Sequence, residues 1–471
     1  MKSKTKKPVS RRKFISTTAI TAAGLSIVPR HVLGGPGFTP PSDKVNIAVV
    51  GVGGRGKQNA QALMELDDVQ ITAIADPAEY WDLADFYYRS KAGRGPVREM
   101  LQDHYAEKTP NYRVAVYHDF RKMLEQETAL DAVLCGTPDH THAYVSLLAM
   151  KAGKHVYCEK PLTHNIWEAR EVQRVARETQ VATQMGNQMH SSEGIRRTVE
   201  YLRAGVIGPI REVHAWVPAT RWINSLDGIP DGRSALPADF DWDLWLGPRA
   251  YRPFHDAYAP VSWRDFWDFG CGAMGDFGCH DLDAAVWGLE LPAPETVELR
   301  PAGYSDQNIT PYGEIGYYHF PARGEQGPVQ LTWYSGGLRP AHPELLPEDQ
   351  TLARRGALYV GEKGIMVYDG GGQAPRLFPA SLEEEAALAP RILAATNGHH
   401  RDWVDAIKGG PAASSHFEYG AHLTEITLLG VLSLRLGGRK IHWDAANMKA
   451  IGLPEADPFI REPVRSGWEM S

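Results

Sequence analysis

The stretch VNIAVVGVGGRG, residues 45–56, decides how this chain folds. Val45, Ile47, Ala48, Val49 and Val50 are apolar and mostly β-branched, the pattern of a strand buried on both faces. The run ends in Gly51, Gly53 and Gly56, spaced G-x-G-x-x-G, with Gly54 and Arg55 completing the turn. In such a turn the first glycine permits the sharp bend. The second lets backbone approach a pyrophosphate, and the third lets the following helix pack close to the strand. A helix starting there aims free N–H groups and the positive end of its dipole at an anion. Residues 57–65 read as that helix and residues 69–75 as a second apolar strand. The strand runs into Asp76, twenty residues after Gly56, where a dinucleotide fold places its ribose-binding acid. An acid there favours NAD, because it would repel the 2′-phosphate of NADP.

Further along, strands and helices alternate. Residues 80–107 carry helix-like segments broken at residues 93–96. Residues 114–117 and 131–136 read as strands, as do 155–158 and 181–185, with helices between them, one over 166–179. Such alternation predicts an α/β fold built on a doubly wound Rossmann parallel sheet, in which ligands bind at the carboxyl ends of strands. Gly51, Asp76, Thr137 and Lys160 all fall at such ends. Beyond residue 210 the pattern turns to alternating segments, at 211–217 and 329–333, and to a hairpin around Glu362 and Lys363. These predict a second, C-terminal α+β domain with an open, mostly antiparallel sheet. The expected organisation is a signal over residues 1–34, a Gly/Pro-rich linker over 35–42, an NAD-binding domain over 43–187, and a substrate and oligomerisation domain over 188–471.

The chain has 471 residues and a net charge of −7, so no basic excess argues for nucleic acid or an anionic membrane. Thirteen Trp and nineteen Tyr suit a sugar site as well as a core. Four cysteines without a C-x-x-C make no disulfide scaffold. Lysines 2, 4, 6 and 7 precede Ser10-Arg11-Arg12-Lys13-Phe14-Ile15 and then a mildly apolar run to Val28. This is the layout of a twin-arginine export signal, too short for a confident membrane span. It predicts a periplasmic or otherwise extracytoplasmic protein delivered by the twin-arginine machinery.

Two groups carry candidate chemistry. Lys160, between Glu159 and Pro161 at the mouth of a strand, could aim an ammonium at a nicotinamide. Asp276 and His280 lie four residues apart on an expected helix, so they share a face. Histidine is the natural general base near neutral pH, and a carboxylate beside it would raise its basicity. Cys271, Cys279 and His280 could be read as zinc ligands, but their spacing fits no standard set and a fourth ligand is not evident.

Taken in order, these pieces resemble the Gfo/Idh/MocA oxidoreductase family, in its exported bacterial subgroup. The likeness rests on GGRGKQN (53–59), GTPDHTHA (136–143), VYCEKPLT (156–163), DWDLWLGP (241–248), GDFGCHDLD (275–283), WDAANMKA (443–450) and SGW (466–468). It implies catalytic roles for Lys160 at the reacting hydroxyl, His280 as its proton acceptor or donor, and Asp276 as the support of His280. Thr137, Pro138 and His142 would line the cofactor, with Glu159 and Gln188 near it. The implied activity is hydride transfer between a sugar or polyol carbon and NAD in a homo-oligomer. The signal adds the expectation that the cofactor is tightly bound and travels with the folded protein. An NAD-dependent, redox-neutral glycosidase using the same residues is the alternative. A non-catalytic sensor would be expected to have lost Lys160 or His280, and both are present. Cys271 and Cys279 stand where the family usually has glycine or serine.

Overall fold

Strand β1 (Val45–Val50) is almost wholly buried and pairs in parallel with a neighbour on each side. One neighbour is β2 (Val69–Ala75), aligned Val45 to Val69, and the other is β6 (Ala132–Cys135), aligned Ile47 to Ala132. The computed structural model describes residues 43–470 apart from 110, 325 and 371–372, so the expected signal and linker lie outside the described residues. Outward from β2 lies β5 (Ala115–Tyr117), and outward from β6 lie β7 (His155–Glu159) and β8 (Thr183–Gly186). All six strands are parallel in the order β5-β2-β1-β6-β7-β8. The order reverses at β1, which makes its carboxyl end the topological switch point of the sheet.

Helix α1 (Gly54–Met64) leaves β1 through the glycine turn, and its N-cap residue Gly53 supplies no side-chain cap. Its first N–H groups are therefore open to a ligand. Helix α2 (Arg94–Ala106) follows β2 after an excursion. The sequence suggested helix from residue 80, but residues 81–92 form a hairpin of β3 (Trp81–Asp82) and β4 (Lys91–Ala92). Three consecutive aromatics, Phe86, Tyr87 and Tyr88, break any helical apolar stripe, and Leu83 and Ala92 are buried against Val261 instead. Pro96 sits in the first turn of α2, where a missing N–H costs nothing. Helix α3 (Phe120–Gln126) is capped by Asp119, which accepts from the Arg121 N–H. Helices α4 (Asp139–Lys151) and α5 (Ile166–Thr179) complete the crossovers, the latter opened by a capping box between Asn165 and Glu168.

The second sheet has nine strands. They are β9 (Ile210–Trp216), β10 (Thr296–Ala302), β11 (Gly313–Phe320), β12 (Val329–Tyr334), β13 (Gly356–Gly361), β14 (Ile365–Tyr368), β15 (Arg376–Phe378), β16 (Ile441–Asp444) and β17 (Lys449–Ala450). Every pairing is antiparallel except β9 with β12. The fold is thus a parallel Rossmann sheet followed by a mostly antiparallel mixed sheet. Helix α6 (Glu193–Arg203) leads into the second part, and a helix over Gly272–Asp281, here α7, carries the acid and histidine. Helix α8 (His399–Ile407) returns to the first sheet, where Trp403 and Val404 join the apolar cluster of Val49, Ile71 and Tyr157. Helix α9 (Phe417–Arg435) is buried along nearly its whole length and packs on α5, α7 and β10. Among the described residues no helix is long and apolar enough to cross a membrane.

Candidate active site

The carboxyl ends of β1, β2, β5, β6 and β7 open into one cavity of about 460 Å³, closed on its far side by residues of the second part of the chain. Three glycines of the turn between β1 and α1 have distinct reasons to lack a side chain. Gly51 has φ +80°, and a Cβ there would lie 2.6 Å from the Thr137 nitrogen. A Cβ on Gly56 would lie 1.8 Å from the Gly51 carbonyl oxygen, so α1 can pack this close only with glycine. A Cβ on Gly53 would meet no protein atom within 4 Å, because that position faces open space. The open helix end and the bare Gly53 backbone suit a pyrophosphate. Gly54 has another purpose: its missing side chain admits the Tyr88 ring, whose atoms would come within 2.4 Å of a Cβ.

Asp76 follows β2 at the cavity wall. Its Oδ2 accepts the Val52 N–H and its Oδ1 the Ala78 N–H, each at 2.8 Å. Burial raises its carboxyl to about 6 although the two N–H groups and Arg94 oppose the shift. Each oxygen keeps a lone pair for a ribose hydroxyl. Uncapped helix end, open glycine and strand-end acid together fit a dinucleotide.

Thr137, Pro138, His142, Glu159 and Arg55 also line the cavity. His142, however, has both ring nitrogens against carbonyls, Nδ1 at 2.7 Å from Pro161 and Nε2 at 2.8 Å from Thr137. It ties α4 to two strand-end loops rather than offering a polar atom to a ligand. Gln188 is displaced from its expected place. It does not line the cavity but stands behind it, donating to the Tyr157 hydroxyl at 2.7 Å and to Glu159 Oε1 at 2.8 Å. A buried carboxylate needs donors, and Asn59 supplies Glu159 with another at 2.8 Å.

On the other side of β1, the Lys160 ammonium donates to Asp276 Oδ1 at 2.5 Å and to the Asp276 carbonyl at 2.9 Å. Arg264, stacked on the Trp263 ring at 4.0 Å, brings its Nε to 3.3 Å from Asp276 Oδ2. Burial alone would raise the Asp276 carboxyl, but Lys160 and Arg264 hold it well below the usual range. This corrects the expected pairing of Asp276 with His280. The two share a face of α7, yet the carboxylate is taken by two cations, the stronger partners for a buried anion. His280 Nδ1 is buried and has no hydrogen-bond partner among the described residues. Burial, with Lys160 and Arg355 adding to it, pushes the His280 imidazole well below its usual value, and Asp276 only partly opposes. The ring is neutral, not made more basic.

Sequence reading missed Arg264, Arg355 and the aromatic mouth. Arg355 lines the cavity while forked onto Asp281 at 2.7 and 2.8 Å. Tyr87, 55% exposed, stacks on Trp222, 39% exposed, with centroids 5.8 Å apart. Lone arginines and aromatics in loops carry no spacing signal. Cys271 and Cys279 are buried with weak contacts to the His164 carbonyl and to Thr424 and Thr427, away from any ligand set with His280. Among the described residues the group with metal-ligand proximity is Cys135, His142 and Cys158, in which both histidine nitrogens already face carbonyls.

Residues 45–187 match the sequence model of the oxidoreductase family's NAD-binding Rossmann fold, and residues 220–319 match that of its C-terminal alpha/beta domain. Together they cover about half the chain. A glycosyl hydrolase family 109 protein of Shewanella pealeana is 24% identical over 229 residues, 45% of this chain and 47% of that protein. The chain spans about half the length of the curated relatives it matches. The WlbA dehydrogenase of Bordetella pertussis, solved with NADH and UDP-GlcNAcA, superimposes with a TM-score of 0.57 at 16% identity, over 85% of this chain and 99% of that one. An inositol dehydrogenase homolog of Azotobacter vinelandii, complexed with NADH and myo-inositol, gives 0.53 at 15% identity, over 85% and 98%. At these identities the likeness is one of fold. The chain belongs to the Gfo/Idh/MocA oxidoreductase family, and its cofactor is NAD.

Proposed function

From this family membership we propose that the protein moves a hydride between a hydroxyl-bearing carbon of a sugar or polyol and an NAD molecule that stays bound. The observation that carries the reading is the Lys160–Asp276–Arg264 charge array beside a neutral, unpartnered His280, in the same cavity as the glycine turn. Bound NAD supplies the hydride acceptor. His280 takes the hydroxyl proton as the hydride leaves the carbon. Lys160 has three N–H donors, two of them spent on Asp276, and the third can meet the alkoxide charge as it develops. Asp276 keeps the ammonium aimed, and Arg264 keeps Asp276 ionised. Tyr87, Trp222 and Trp263 offer flat faces of the kind that pack on sugar C–H surfaces.

A second reading is favoured by the family 109 relative. In it the same groups oxidise a ring carbon transiently, a glycosidic bond breaks, and the hydride returns with no net redox change. The Arg11-Arg12 signal pattern supports export by the twin-arginine route after folding around NAD, which would explain a cofactor that does not exchange.

The test is a screen of free sugars, polyols and glycosides with protein purified without added cofactor. Bound-cofactor absorbance and products are read together. An oxidised product with reduced cofactor supports the first reading. Aglycone release without accumulated NADH supports the second. No reaction with any of these classes would overturn both.

A further inference from the structure

The last segment of the chain lies outside both family matches, and the SGW motif at residues 466–468 has no role in the chemistry above. Its course is nonetheless tightly determined. After a short helix over Asp457–Ile460, Glu462 enters the interior and meets three cationic or protonatable groups. Arg249 Nη1 lies at 2.6 Å, His164 Nδ1 at 2.7 Å, and Arg435 also donates. Burial alone would raise the Glu462 carboxyl, but these groups hold it well below the usual range. Three residues on, the Arg465 guanidinium grips Asp243 and the Gly247 carbonyl, and its backbone N–H reaches the Pro248 carbonyl at 3.0 Å. Gly467, at φ +83°, turns the chain so that the Trp468 N–H returns to the Arg465 carbonyl at 3.1 Å.

The turn delivers Trp468 into the cavity wall, 4% exposed. Its ring lies 4.8 Å from Tyr144 and 6.4 Å from Phe120, between centroids, with the Arg121 guanidinium 4.4 Å above it. Phe120 and Arg121 follow β5, the strand beside β2, and the Asp76 N–H donates to the Tyr117 carbonyl at 3.1 Å. Trp468 therefore stands on the Asp76 side of β1, the side where this fold receives the adenosine half of a dinucleotide. Lys160, Asp276 and His280 stand on the other.

We infer that the C-terminal segment completes the NAD site, with Trp468 as the wall of its adenosine end and Glu462 and Arg465 as the anchors that keep the wall in place. Binding NAD would otherwise leave that end open at the outer strand of the sheet. The inference rests on NAD being the cofactor and not on which sugar reaction follows.

The experiment compares wild type with Trp468→Ala, Trp468→Phe and Arg465→Ala, the last loosening the segment without touching the cavity. ADP-ribose affinity is measured by calorimetry, release of the reduced cofactor NADH by loss of its bound fluorescence, and apo-protein melting as the readout of a merely structural role. Trp468→Ala should weaken ADP-ribose by about tenfold to a hundredfold, the range that losing one aromatic face against a base produces. NADH release should speed up in parallel, phenylalanine should recover most of the loss, and Arg465→Ala should fall between. A folded Trp468→Ala protein with ADP-ribose affinity within about twofold of wild type would overturn the inference. If Trp468→Ala does not fold, unchanged ADP-ribose binding in Arg465→Ala overturns it instead. Normal ADP-ribose binding in wild type with no sugar turned over would sink the proposed reaction and leave this inference standing.

Discussion

In the proposed reaction, replacing His280 by alanine isolates the proton-transfer step. Its Nδ1 makes no hydrogen bond among the described residues, so the truncation breaks none. The Lys160–Asp276–Arg264 array has its own contacts and stays. The loss is then confined to general-base catalysis, about 10²- to 10⁴-fold, or about 2.7–5.4 kcal/mol at about 1.36 kcal/mol per decade. Because the Lys160 ammonium still stabilises the alkoxide, the lower half of that range is expected. The pH profile adds an independent check. Burial and neighbouring cations depress the imidazole below its ordinary 6.5, so the base stays neutral, and activity should persist, as pH falls through 6.5. Had Asp276 been its partner, the imidazole would take up its proton at a higher pH, and activity would already be lost as pH fell towards 6.5. The assay is single-turnover reduction of bound NAD, with the sugar found by the screen, from pH 5 to 9. Activity within about tenfold of wild type, or a wild-type acidic limb centred above pH 7, would refute the reasoning. ADP-ribose binding should not change.

Three further outcomes follow from the geometry. Gly53→Ala should fold normally, since its Cβ meets no protein atom, yet bind NAD poorly; Gly56→Ala should lose about 1–3 kcal/mol in urea unfolding, because its Cβ would lie 1.8 Å from Gly51. Equal stability of the two variants would contradict the assigned roles. Asp76→Ala should weaken NAD and narrow its advantage over NADP in fluorescence titrations; an unchanged preference would remove Asp76 from the ribose. Glu314, buried on β11 with only the Trp333 indole and the Ser335 side chain to oppose the shift, has its carboxyl raised from 4.5 to about 7. The folded state thus holds a proton that the unfolded chain has lost, so stability should fall as pH rises from about 4.5 to about 7, by about 3 kcal/mol. Glu314→Gln should remove that slope, and an unaltered slope would show the carboxyl ionised throughout.

Much of the site was legible because its signals are local. The glycine spacing, Asp76 and the alternation of strands and helices each depend on residues within a few turns of one another. Lys160 and the Asp276–His280 pair stood out in the same way, and all line the cavity. Helix spacing suggested that Asp276 serves His280, and there local reasoning failed. Its actual partner Lys160 is 116 residues away, and a cation at contact distance outcompetes a neutral ring on the same helix face. Gln188 was misplaced for a similar reason: a buried Glu159 drew its amide inward. The hairpin over residues 81–92 was hidden because its aromatics also answer to Trp222 and Gly54, which lie far from them in the chain.

The sequence by itself determined the parallel sheet, the dinucleotide turn and the identity of the chemical groups. Each follows from backbone sterics and short-range periodicity, which are written into neighbouring residues. Only the tertiary structure decided which charge neutralises which, that His280 is left neutral, and that Trp468 closes a cavity whose floor begins at Gly51. Desolvation and Coulomb forces act between side chains that folding brings together from hundreds of residues apart, and no spacing in the chain records them.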